Sequence, residues 1–103
     1  MNNKKYDKKK LDELIERATM DCYDESEALS GFAVTLEDEL ETPFTANVLG
    51  EDVVISRVLG DHKRIVAVIR KSKKLHKIDV LDLRNVKPAR NAVWIEAYRR
   101  FSL

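Results

Sequence analysis

The chain has 103 residues, 44% of them hydrophobic and 36% charged, with one cysteine and a formal net charge of +1. That length holds one modest core, a lone cysteine excludes an internal disulfide, and no apolar run approaches the ~18 residues of a membrane helix. The near-neutral total hides a polarised molecule: residues 1–17 carry six bases and four acids, residues 18–56 ten acids and no base, and residues 57–103 thirteen bases and four acids.

The opening MNNKKYDKKK lacks the apolar segment of a secretory signal, so residues 1–10 are expected to be a frayed basic arm and the address cytoplasmic. From Leu11 the pattern becomes helical. Leu11, Leu14, Ile15, Ala18 and Cys22 recur at steps of three and four, predicting a helix from near Asp7 to at least Cys22, with the thiol on its apolar face. Ala28 and Leu29 extend that face, and Ser30-Gly31 is the expected stop. Phe32–Leu40 reads as a second helix, with Thr35 and Asp38 close to a capping box, and Pro43 ends it. An acidic helical part thus covers residues 11–42.

After Pro43 the period becomes two. Phe44, Ala46 and Val48 alternate with polar residues, Val53–Leu59 is a second β-rich run, Ile65–Ile69 is apolar enough for a central strand, and His76, Ile78 and Val80 mark a fourth. Lys71–Lys74 is a basic turn between the last two. A tight turn at Leu81–Asn85 precedes a short last strand at Val86, and Pro88 closes it. That order predicts a small SH3-like antiparallel β-barrel over residues 43–88. In residues 89–103, Asn91 is placed to cap a terminal helix with Val93, Trp94, Ala97, Tyr98 and Phe101 on one face. The expected class is therefore α+β in a single domain: two N-terminal helices, a small barrel and a C-terminal helix.

Catalysis has little to stand on, and no enzyme is expected. Cys22 has no base beside it, His62 and His76 belong to a polar turn and a strand, only three scattered glycines exist, and no paired zinc-ligand spacing occurs. Hard divalent cations are different, because calcium takes six to eight oxygens and tolerates irregular geometry. Asp21, Asp24 and Glu25 are spaced i, i+3, i+4, and Glu37, Asp38 and Glu41, at i, i+1, i+4, have the same opportunity to converge. A turn at Ser30-Gly31 would let both groups share one surface. An EF-hand is excluded, since a loop beginning at Asp24 puts Ser26, Ala28 and Leu29 where oxygen ligands and a glycine are needed. The plain alternative is a solvated acidic face that pairs with the basic half.

The residues Asp21-Cys22-Tyr23-Asp24-Glu25, Gly31-Phe32, Leu36-Glu37-Asp38-Glu39-Leu40 and Pro43-Phe44-Thr45-Ala46 resemble the small cyanobacterial-type calcium-binding protein family, a non-EF-hand group. The resemblance covers about a quarter of the chain. It implies a cytosolic calcium-ion binder concerned with buffering or homeostasis, with Asp21, Asp24, Glu25, Glu27, Glu37 and Asp38 as the matching acids; Glu41 is added from helical spacing. The family is acidic overall, whereas residues 57–103 here are strongly basic. The second reading is a nucleic-acid or acidic-partner module using Arg70, Lys71, Lys73, Lys74 and Lys77, with Arg57, Lys63 and Arg64 nearby.

Overall fold

A computed structural model of the chain describes residues 6–102, so the first half of the expected basic arm lies outside the described residues. The second half is not frayed. Asp7 adopts extended backbone and its carboxylate accepts the Lys9 N–H, capping α1, Lys8–Ala18. Leu11, Leu14 and Ala18 are the buried face, at the spacing the sequence sets.

α1 stops well short of Cys22. The Thr19 hydroxyl bonds the Ile15 carbonyl, Asp21 takes a left-handed φ of 64°, and Asp24 starts α2, Glu25–Glu39. The expected stop at Ser30-Gly31 is therefore wrong: both lie inside α2. Gly31 is there because α2 crosses the end of α1, where a Cβ would sit 2.6 Å from the Ala18 carbonyl oxygen and 3.1 Å from Cys22 Sγ. Close approach, and not termination, requires the glycine. Cys22 is half-buried in the α1–α2 loop, with its thiol donating toward the Met20 and Glu27 carbonyls, rather than on the face of α1.

Five strands follow: β1 Phe44–Val48, β2 Glu51–Asp61, β3 Arg64–Lys71, β4 Lys74–Asp79 and, after a one-turn 3-10 helix at Val80–Asp82, β5 Arg84–Lys87. All pairings are antiparallel, in the order β4-β3-β2-β1-β5. Ile65–Ile69 lies on β3, flanked on both sides as its apolar run requires. β2 pairs with β1 through Glu51–Ile55 and with β3 from Ile55 to Asp61, with an irregularity between Ile55 and Arg57. The expected barrel is not closed. Only β1 holds the short β5, through an irregular register, and no ladder joins it to β4 among the described residues.

α3, Ala89–Phe101, begins after Pro88, which occupies the capping position itself and makes no side-chain cap bond. Asn91 is therefore not the cap. It lies in the first turn of α3, completely buried, with Nδ2 donating to the Glu41 carbonyl at 2.9 Å and Oδ1 accepting the Glu41 N–H at 3.0 Å. Trp94, Ala97 and Tyr98 are buried on the helix face that the sequence assigns, with Val93 and Phe101 half-buried. Phe32 of α2 meets Tyr98 at 5.4 Å and Phe101 at 4.9 Å between ring centroids, so the aromatic cluster joins α2 to α3. Burial raises the Tyr98 pKa above its ordinary value, with the Asp79 charge adding to the effect. Arg99 donates to the Leu81 and Leu83 carbonyls, Arg100 pairs with Asp12, and the Arg17 guanidinium lies 5.5 Å over the Trp94 ring. These contacts tie α1 and the Leu81 to Leu83 segment to α3.

Candidate functional site

Helical geometry decides how the acids are arranged. From Asp24 to Asp38 is fourteen residues of one helix, or about 21 Å at 1.5 Å per residue. The two carboxylate groups expected to share a surface therefore sit at opposite ends of α2, too far apart to ligate one ion. Neither group is the converging set that the sequence spacing implies. Asp21 is in the loop and Asp24 is a cap, while Glu41 lies beyond the end of α2, because Leu40 turns to extended backbone at ψ 137°. No group of three or more His, Cys, Asp or Glu is poised to hold a metal among the described residues.

At the N-terminal end the acids already have structural work. Asp24 Oδ1 accepts the Glu27 N–H at 2.8 Å and Glu27 Oε1 accepts the Tyr23 N–H at 2.7 Å. This reciprocal arrangement is a capping box displaced by one residue, and the Asp24-x-x-Glu27 spacing was the sequence signal for it. The positive end of the helix dipole stabilises these carboxylates and opposes a cation beside them. Glu25 lines an open groove of about 510 Å³ with His62, Lys63, Tyr98 and Phe101, so the Lys63 ammonium shares its surroundings.

The C-terminal end has the opposite electrostatics. Glu37, Asp38 and Glu39 fall in the last turn of α2, which carries no basic residue, at the negative end of the dipole. Leu40 leaves the helix, so the Glu41 N–H lies beyond the end of α2 and is bonded by Asn91 Oδ1. The Glu37 carbonyl is among the last four of α2, which helix geometry leaves without an intrahelical partner. Glu37 also lines a recess of about 170 Å³ with Leu36, Thr42, Arg57 and Val58.

Ion pairs between the acidic and basic halves are few and selective. Glu39 holds Arg90 at 2.9 Å and Arg17 at 3.9 Å, Glu41 is 3.9 Å from Arg90, and Glu51 takes Lys71 at 2.8 Å. Asp21, Asp24, Glu25, Glu27, Glu37 and Asp38 have no cationic side chain within 4.0 Å among the described residues. The acids matched by resemblance are thus all among those left unneutralised, and the acidic face does not simply close on the basic half.

The basic residues of the second reading are not brought to one point either. Arg70, Lys71, Lys73, Lys74 and Lys77 follow the β3–β4 hairpin, with Ser72 and Lys73 at positive φ in its turn. Lys71 and Lys77 are paired with Glu51 and Asp61. His62 and His76 are exposed.

Among the described residues no helix is long and apolar enough to cross a membrane. No family model matches the chain, and no curated protein matches it. Among solved structures it is similar to the crystal structure of Anabaena CcbP, with a TM-score of 0.75 and 15% sequence identity over 99% of this chain and 95% of that one. At that identity the likeness is one of fold, and it runs the full length of both chains.

Proposed function

We propose that this protein binds calcium through the carboxylates on and around α2, as a binding protein and not an enzyme. The observation that carries the reading is the end of α2. There the last carbonyls of α2, that of Glu37 among them, have no intrahelical partner, and among the described residues the Glu37 and Asp38 carboxylates stand without an ion pair at the negative end of the helix. Calcium is a hard cation that accepts carboxylate and carbonyl oxygens together and completes its shell with water, which suits a site with few protein ligands. Two further observations support it: the Asp21–Ala46 stretch resembles the small cyanobacterial-type calcium-binding proteins, and the fold is shared with Anabaena CcbP over nearly the whole of both chains.

Because α2 holds its two acid groups about 21 Å apart, the reading divides them between two separate sites. Glu37 and Asp38, with Glu41 beside them, form the stronger one. Asp21, Asp24 and Glu25, against the positive helix end and near Lys63, form a weaker one. Buffering or homeostasis is the cellular role that such sites would serve.

The test is a calcium titration of the melting temperature, since a ligand that binds only the folded state stabilises it by about 2.7 kcal/mol at one hundred times its Kd. Asp38→Asn and Asp24→Asn remove one charge each at nearly constant shape. Asn caps helices about as well as Asp, so Asp24→Asn preserves the start of α2. Loss of most of the calcium-dependent shift in Asp38→Asn, and a smaller loss in Asp24→Asn, is expected. No shift in the parent protein at millimolar calcium would refute the proposal.

A further inference from the structure

β4 is an uncovered edge of the sheet. Its residues pair with β3 on one side, and β3 is the element packed extensively against it. Lys74, Leu75, His76 and Lys77 are all exposed, so both faces of the strand meet solvent. An edge of this kind presents unpaired backbone N–H and C=O groups in a row, ready to accept another strand. Leu75 keeps 62% of its surface exposed in the middle of it.

The charge around the edge is one-sided. Arg64, Arg70, Lys73 and Lys74 have no carboxylate within 4.0 Å among the described residues, and Lys71 and Lys77 have one each. A second copy of β4 laid parallel and in register along the edge would set lysines against lysines, which cross-strand pairing penalises. Edge lysines therefore reject in-register self-pairing while favouring a strand of opposite charge. Nucleic acid would neutralise the same cations. However, residues 64–79 contain no Phe, Tyr or Trp on which a base could stack, and a phosphate backbone makes no use of a row of peptide groups.

We propose that β4 is the docking edge for an extended acidic segment of a partner protein, which adds to the sheet as a further strand. Backbone bonds to β4 supply the affinity, and the alternation of side chains supplies the selectivity. Lys74 and Leu75 face opposite sides of the sheet, as do His76 and Lys77. The matching segment alternates, with a carboxylate opposite Lys74 and an apolar residue opposite Leu75. This surface is independent of the carboxylates assigned to calcium.

The probe is an acetylated octapeptide of alternating Glu and Val, titrated into the full chain and followed by amide NMR and fluorescence anisotropy. The peptide is expected to shift the Leu75, His76 and Lys77 amides and slow their exchange. The same peptide with alternate backbone nitrogens methylated retains the charge but loses the ladder, and is expected to bind far more weakly. Lys74→Glu is expected to lower affinity for the Glu–Val peptide about fivefold and to raise it for the Lys–Val counterpart. Equal binding of the methylated peptide, tighter binding of oligothymidylate, shifts confined to other elements, or no binding of any probe would each overturn the proposal.

Discussion

Asn91→Ala removes two hydrogen bonds from one buried side chain, and their loss should be felt fifty residues away in sequence. Asn91 is wholly buried, and both partners are backbone groups of Glu41, at 3.0 and 2.9 Å. An unmade bond to a buried group costs about 1–3 kcal/mol. The Glu41 side chain is exposed, so water recovers part of that loss at its backbone. A net destabilisation of about 2–4 kcal/mol follows, which for a domain near this size lowers the melting temperature by roughly 10–20 °C. Asn91→Asp keeps the acceptor for the Glu41 N–H but turns an acceptor toward the Glu41 carbonyl, and should cost at least as much. Urea denaturation with an unchanged slope measures both. A loss under about 0.5 kcal/mol for Asn91→Ala, the range of an ordinary surface change, would refute the clamp.

Two further outcomes separate this structure from simpler expectations. Gly31→Ala should gain about 1 kcal/mol by helix propensity alone, yet its Cβ would meet the Ala18 carbonyl oxygen at 2.6 Å. The crossing of α1 and α2 must open, so a destabilisation of about 1–3 kcal/mol is expected by denaturation. The Arg100 guanidinium, bonded at 2.8 Å, holds the Asp12 carboxyl below its ordinary pKa. A depressed folded-state pKa contributes stability above the unfolded value and loses it as pH falls through the folded value. Asp12→Asn should therefore melt below the parent at neutral pH, with the gap closing under acid; a gap independent of pH would show that the pair adds nothing through charge.

Period and local composition made much of this fold readable. The switch from helical spacing to alternation after Pro43, the buried run Ile65–Ile69 and the face of α3 depend on neighbours within a few residues, and they stand as the spacing implies. The errors came where one residue type serves two purposes. Gly31 has the look of a helix stop but answers a steric demand from Ala18, thirteen positions earlier. Asn91 has the composition of a cap but bonds Glu41, a partner no local pattern reveals. Misplacing the helix boundary also misplaced the site, because Asp21 and Asp24 were put on one helix and Glu41 on another. The Asp24-x-x-Glu27 box was the available correction. The acids themselves were legible as an unopposed block; the division into two ends of one long helix required the structure.

The most direct test of the central claim is a calcium titration of the isotopically labelled chain, read at the backbone amides. Saturable shifts concentrated at Glu37–Glu41, with a second and weaker set at Asp21–Glu27, are the predicted result; Asp38→Asn should abolish the first set and leave the second. Absence of shifts at millimolar calcium, or shifts spread evenly over every exposed carboxylate, would contradict it.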